Sequence, residues 1–212
     1  MLVEVWSDVV CPWCYIGKRR LEEALESFPG REDVTIVHRA FQLDPTARSE
    51  GRRTVDVISE KYRTDAIATA AMLENVTEVA STVGLSYQLG GTLSGNTANA
   101  HRLLLWAQGL GSAQPLLESL YSGYFEQGLN IFSIDDLVAF AERAGLDPDA
   151  ARAMLGTDEF VSDVAADQAL AAQFGANGVP FFVFDRAYGI SGAQPLQVFV
   201  DTLAKAAQGA SE

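Results

Sequence analysis

The sequence predicts an α/β domain. A βαβ unit at the start and an αββα unit at the end share one mixed central sheet, and a large all-helical insertion separates them. Three observations carry this. The opening residues, to Phe41, read strand, helix, strand. From about Thr54 to Leu155 the apolar spacing is helical and no strand signal interrupts it. After Gly178 come two short β runs and one amphipathic helix.

Leu2 to Asp8 alternates, with Leu2, Val3, Val5 and Trp6 apolar, and reads as a strand. A helical pattern (Ile16, Leu21, Ala24, Leu25, Phe28) follows and stops at Pro29-Gly30. Val34 to Phe41 is the second strand, broken by Gln42-Leu43-Asp44-Pro45, and Thr46 to Gly51 is a polar loop. Helices are expected at Val55–Tyr62, Ala66–Val83, Thr97–Gln108, Gln114–Phe125, Ile134–Ala144 and Asp149–Leu155. Their caps include Asp65, Ser133 with Asp136 three residues on, and Asp147-Pro148. Leu85 to Ser94, with Leu89-Gly90-Gly91, reads as a loop.

A helix from about Asp158 to Phe174 returns the chain to the turn Gly175-Ala176-Asn177-Gly178-Val179-Pro180. Phe181–Asp185 and Tyr188–Ser191 form a hairpin around Asp185-Arg186-Ala187. Gln194–Ala206 is the last helix, with Leu196, Phe199, Val200 and Leu203 on one face, and Gly209–Glu212 is a tail. The division expected is 1–50 with 157–212 for the α/β domain and 51–156 for the insertion.

A chain of 212 residues buries on the order of 70% of its unfolded surface and needs no disulfide staples. The net charge of -13 argues against nucleic acid and anionic membrane as partners, which call for cationic surfaces. No segment has the apolar length to span a bilayer. The start has no basic n-region, since Glu4 lies in the first strand and Asp8 follows it. With one close cysteine pair, the simplest location is the cytoplasm, where a dithiol cycles instead of stapling.

Both cysteines of the chain, Cys11 and Cys14, stand between the first strand and the first helix. A helix N-terminus offers free N–H groups and partial positive charge, which favour a thiolate at Cys11. Cys14, one turn in, is placed to attack a mixed disulfide formed by Cys11. Pro12 suits the helix start because its missing N–H has no intrahelical partner there. Inert packing needs no such spacing. A zinc site needs about four ligands, and His38 and His101 are far apart in sequence. The pair therefore points to redox chemistry with no metal and no bound cofactor.

Several stretches together resemble a known family. They are Ser7-Asp8-Val9-Val10-Cys11-Pro12-Trp13-Cys14-Tyr15-Ile16-Gly17, Phe41-Gln42-Leu43-Asp44-Pro45, Asn96-Thr97 with Ala100-His101-Arg102-Leu103, Gly178-Val179-Pro180, and Ile190-Ser191-Gly192-Ala193-Gln194-Pro195. In that order they resemble the FrnE-type branch of the DsbA-like oxidoreductases, which have a thioredoxin fold with a helical insertion. The resemblance implies a thiol–disulfide oxidoreductase. Cys11 is then the exposed attacking thiol and Cys14 the buried resolving thiol, cycling through a Cys11–Cys14 disulfide. Pro180 is the cis-proline facing them, and the Val179 backbone pairs with an extended peptide or with glutathione. Trp13 departs from the better-known periplasmic DsbA, which has a His there, so no strongly oxidising potential follows. The kappa glutathione transferases and hydroxychromene carboxylate isomerases are similar in layout, but typically place Ser where Cys11 stands.

Further candidates are weaker. His101 reads first as a hydrogen-bonded interfacial histidine and second as a cleft residue whose imidazolium favours a thiolate. Asp8 reads first as a turn residue and second, like Glu4, as a carboxylate able to take the Cys14 proton. Asn96 and Asn99 read as helix-start and packing residues. Trp13, Tyr15 and Phe41 are candidates for an apolar rim, although aromatics more often fill cores. Ser191-Gly192-Ala193 precedes the last helix, whose N-terminus suits an anion such as a glutathione carboxylate, or is a simple turn.

The function expected is thiol–disulfide exchange on protein or small-thiol disulfides, with glutathione as a co-substrate. The rivals are a glutathione-dependent isomerase or transferase acting on a small aromatic molecule, and a peptide-binding holdase. Neither requires both cysteines.

Overall fold

Strand β1 (Leu2–Ser7) lies in the middle of a four-stranded sheet, and all its residues after Leu2 are buried. That explains its apolar content on both faces. The computed structural model describes residues 1–209, so part of the expected C-terminal tail (210–212) lies outside the described residues. Helix α1 (Pro12–Glu26) returns the chain to strand β2 (Thr35–Ala40), parallel to β1 with Val3 opposite Ile36. A 3-10 turn at Arg31–Asp33 leads into β2. From the other end of the chain, β5 (Phe181–Phe184) runs antiparallel to β1, with Val5 opposite Phe182, and β6 (Tyr188–Ser191) pairs antiparallel with β5. The order β2-β1-β5-β6 is the expected mixed sheet, with two strands from each end of the chain.

Period-two alternation sorts the strand side chains. Val3, Val5, Phe182, Phe184 and Ile190 meet Leu21 and Ala24 of α1 and Phe199, Leu203 and Ala206 of α9 (Leu196–Gly209). Trp6, Phe181 and Val183 face the opposite way, onto Ala171 of α8 (Val161–Gln173), and the Trp6 indole N–H donates to the Asp167 carbonyl at 2.8 Å. The result is a thioredoxin-like α/β core with helices on both faces and a large helical insertion.

The insertion carries β3 (Arg52–Arg53), α2 (Thr54–Tyr62), α3 (Ala66–Ser81), β4 (Leu93–Ser94), α4 (Ala98–Gly109), α5 (Ala113–Tyr121), α6 (Ile134–Arg143) and α7 (Pro148–Leu155). The expected caps are in place. Asp65 accepts from the Ala68 N–H, Ser133 from the Asp136 N–H, and Asp147 from the Asp149 and Ala150 N–H groups. Each is worth about 1 kcal/mol.

Two expectations are corrected. The stretch read as a loop from Leu85 to Ser94 contains β4, which pairs with β3 (Arg52 opposite Ser94), so one short strand does interrupt the helical interval. Two residues are too few to leave an alternating signal. The helix expected to run to Phe125 changes at Ser122 into a π-helical turn, Ser122–Glu126. There Gly123 lets the Phe140 ring lie against its backbone; a Cβ at that position would stand 2.3 Å from the ring.

Candidate active site

The dithiol turn is set by backbone bonds before any side chain acts. Asp8 follows β1 directly, and its carbonyl accepts the Cys11 N–H at 3.1 Å. Cys11 is the N-cap of α1 in extended conformation, Pro12 opens the helix, and the Cys14 N–H bonds the Cys11 carbonyl at 3.0 Å. Both sulfurs thus sit in the first turn, where unpaired N–H groups and the helix dipole favour negative charge. Gly17, one turn on, brings α1 close to β5. A Cβ there would lie 3.0 Å from the Phe182 ring and 3.1 Å from Pro180.

The Val179–Pro180 peptide bond is cis, as the resemblance implied. The Cys11 Sγ lies 3.5 Å from the Val179 carbonyl oxygen. Pro180 is buried and Val179 half-buried. The Pro180 carbonyl accepts the Gly192 N–H at 2.8 Å, so the Ser191-Gly192-Ala193 segment is tied directly to this turn. Gly192 meets the bond with φ of 79°, a conformation suited to glycine. Arg20 of α1 donates to the carbonyls of Ala193 and Gln194.

The exposure expected of Cys11 is corrected. Cys11 is 3% exposed and Cys14 2%. The insertion comes down over the start of α1: Tyr87 donates its hydroxyl to the Pro12 carbonyl at 2.7 Å, and Val179 closes the other side. The exposed member of the motif is Trp13, at 36%. Of the three aromatic rim candidates only Trp13 is at the surface. Tyr15 is buried, stacked on Tyr121 at 4.8 Å between ring centroids. Phe41 is half-buried and packs with Trp6, Phe181 and Val183 on the α8 side of the sheet.

Burial pushes the Cys14 thiol well above its ordinary range, and contact with the Cys11 sulfur adds to this. The Asp8 backbone N–H opposes the shift and the Asp8 carboxylate reinforces it. Cys14 is therefore a protonated, shielded thiol in the reduced protein. Asp8 is buried, with one carboxylate oxygen on the Leu43 N–H at 2.8 Å and the other 3.2 Å from His101 Nε2. His101 is thus a buried, hydrogen-bonded residue attached to the dithiol turn, which is the first of its two sequence readings.

Glu4 does not serve Cys14. It shares the Trp6 face of the strand, where it bonds Arg39 and Arg186. Burial pushes its carboxyl up, but those two guanidinium groups outweigh burial and hold it below the usual range. Asn96 holds the Ala98 N–H, the Gln42 amide and the carbonyls of Pro45 and Ala47, and Asn99 accepts from Arg102. Both are framework residues.

Sequence reasoning missed Tyr87, Tyr121 and Glu118. Tyr121 donates to the Asp8 carbonyl at 3.5 Å, and Glu118 accepts from Tyr15 and Lys18, each at 2.6 Å. All three come from the insertion and touch residues about 75 to 113 positions away. Among the described residues no group of three or more His, Cys, Asp or Glu side chains is arranged to hold a metal ion, and no helix is long and apolar enough to cross a membrane.

Comparison with known proteins fits this geometry. Residues 2–204 match the family model described as DSBA-like thioredoxin domain. The crystal structure of a probable DsbA oxidoreductase from Streptomyces coelicolor is 42% identical, with a TM-score of 0.93, covering 97% of this chain and 89% of that one. The uncharacterized protein YwbO of Bacillus subtilis is 24% identical over 156 residues, 73% of this chain and 72% of its own length. The cytosolic disulfide reductase DsbM of Pseudomonas aeruginosa, solved with GSH, shares the fold at 17% identity and a TM-score of 0.63, covering 97% of this chain and 100% of that one.

Proposed function

The chain belongs to the DSBA-like thioredoxin domain family, and from that premise we propose that it exchanges disulfides through Cys11 and Cys14. The observation that carries this reading is the pairing of a helix-start Cys11, its sulfur against the Val179 carbonyl, with a buried Cys14 one turn in. In the proposed cycle the Cys11 thiolate attacks one sulfur of a substrate disulfide. A new S–S bond forms, the substrate bond breaks, and the other substrate sulfur leaves as a thiolate. Cys14 then loses its proton and attacks the Cys11 sulfur, which releases the second substrate thiolate and closes the Cys11–Cys14 disulfide. Two further thiols reopen it. Run backwards, the same steps oxidise a substrate dithiol.

Within the family we assign the chain to the FrnE-type branch, on the Cys-Pro-Trp-Cys motif and the Asn96–Leu103 stretch. Substrate contact falls to the Val179 backbone beside Cys11 and to Trp13, with Phe41, His101 and Ser191-Gly192-Ala193 supporting the turn from beneath or behind. Glutathione is the small thiol we propose as partner. The support is that the Pseudomonas reductase of the same fold was solved with it. We place the protein in the cytoplasm because both of its cysteines are at the site and none is a staple. Cys14 has no use in isomerase chemistry, which sets that rival second.

Reduction of insulin and of glutathione disulfide by wild type, Cys11→Ser and Cys14→Ser tests the scheme. Cys11→Ser is expected to be inactive and Cys14→Ser to accumulate mixed disulfides visible by mass spectrometry. Full turnover by Cys11→Ser overturns it.

A further inference from the structure

Asp8 and His101 form a buried acid–imidazole pair that the exchange scheme above does not use. They are 1% and 2% exposed, with His101 Nε2 at 3.2 Å from Asp8 Oδ1. The second carboxylate oxygen is held by the Leu43 N–H at 2.8 Å. Asp8 is also the residue whose backbone builds the dithiol turn. Its carbonyl takes the Cys11 N–H at 3.1 Å and the Tyr121 hydroxyl at 3.5 Å. His101 comes from α4 in the insertion, so the pair ties the insertion to the residue that builds the dithiol turn.

The titratable groups coupled to the pair by charge include Cys14 of α1, Tyr121 of α5, Tyr124 of the π turn and Asp167 of α8, and Cys11 is bonded to Asp8 through the backbone. Burial pushes both tyrosines up, Tyr124 to about 12, so neither carries charge near neutrality. Asp167 is bound to Arg39 at 3.0 Å and to the Ala40 N–H at 2.9 Å. Apart from the thiols, the imidazole is the side-chain type in this set chemically suited to hand a proton on and off.

We propose that the buried Asp8–His101 pair is the proton-holding partner of the Cys11–Cys14 couple, with His101 binding a proton against the Asp8 carboxylate when the disulfide is reduced. The balance is as follows. A donor dithiol closes its own S–S bond and gives up two electrons and two protons. The Cys11–Cys14 bond takes the two electrons and breaks. Cys14, buried and favouring its neutral form, takes one proton, and His101 takes the other in place of Cys11. On oxidation both protons leave. Imidazolium then accompanies the thiolate and neutral imidazole the disulfide, so the buried pair and the sulfurs together carry one net negative charge in either redox state. This rests on the proposed role of the dithiol and adds its proton partner.

Two measurements test it. The first is the thiol–disulfide equilibrium against glutathione from pH 5.5 to 8, in wild type and His101→Gln. Two glutathione thiols release two protons and the reduced wild type binds two, so linkage requires a wild-type equilibrium nearly flat in pH and a His101→Gln equilibrium steeper by up to about tenfold per pH unit where the variant binds one proton fewer. The second needs no substitution at the pair. The chain has two histidines, so a His38→Leu background gives a single imidazole signal in proton NMR. At fixed pH near neutrality, reduction is expected to move that signal toward the protonated position, and to leave it unmoved in a Cys11→Ser/Cys14→Ser protein. Disulfide formation with an unmoved His101 signal and equal pH slopes overturns the proton-holding role alone. A pair that does not form a disulfide overturns both this and the exchange scheme.

Discussion

His38 gives the sharpest stability prediction. It lies in β2, 6% exposed, and neither ring nitrogen has a hydrogen-bond partner. Its backbone is held on both sides by the Gln108 amide, which accepts from the His38 N–H at 2.8 Å and donates to its carbonyl at 3.3 Å. Burial pulls the imidazole from its ordinary 6.5 down to about 4 and the Lys18 charge pulls the same way; the Gln114 side chain, near the ring but without hydrogen-bond geometry to either nitrogen, opposes them only in part. The unfolded chain therefore binds a proton near pH 6.5 that the folded chain refuses until about pH 4. The stability tied to the neutral ring is complete above pH 6.5, falls as pH drops below it, and is gone below about pH 4. At about 1.4 kcal/mol per pH unit the whole window is worth about 3 kcal/mol, and about 2 kcal/mol of it is gone by pH 5. The perturbation is His38→Leu, which removes both unpaired nitrogens. Urea unfolding of wild type and variant at pH 7.5, 6 and 5 gives the difference directly. The variant is expected to gain about 2 kcal/mol relative to wild type between pH 7.5 and 5. A difference that stays constant across those three pH values refutes the reasoning, because only proton binding by His38 makes it vary.

Three further substitutions probe the elements that position the site. Gly17→Ala gains about 1 kcal/mol of helix propensity but drives a methyl into Phe182 and Pro180, both buried and unable to give way; a net loss of about 1 kcal/mol and slower exchange are expected, read by thermal unfolding and insulin reduction. Tyr87→Phe removes the hydroxyl on the Pro12 carbonyl; about 1 kcal/mol of stability is expected to go, and Cys11 to alkylate faster with iodoacetamide as the insertion loosens over it. Glu4→Gln leaves two guanidinium groups facing an uncharged side chain; a loss of about 3 kcal/mol at pH 7 is expected, shrinking as pH falls through the carboxylate range, because the lowered Glu4 value makes the wild-type advantage present above that range and lost below it.

Local rules made much of this molecule legible. Asp65, Ser133 and Asp147 cap the helices they were read to cap, because a short polar side chain before an apolar-periodic run has few other uses. The strand–dithiol–helix order, the returning β-hairpin and the insertion between them follow from periodicities of two and of 3.6. The loss of signal is as physical. The β3–β4 ladder is two residues long, and the π turn at Ser122–Glu126 is decided by Phe140, which lies outside that turn.

The sequence by itself determined the fold class and the dithiol at the N-terminus of α1, which follow from periodicity and spacing, and the family resemblance added the Val179–Pro180 turn facing it. Only the tertiary structure decided how buried Cys11 is, that Asp8 meets His101 across 93 positions, and that Glu4 answers to Arg39 and Arg186 instead of Cys14. Those outcomes depend on which strand face a side chain takes and on how closely the insertion packs down. Packing of that kind is settled by contacts between distant residues, none of which leaves a mark on its neighbours in the chain.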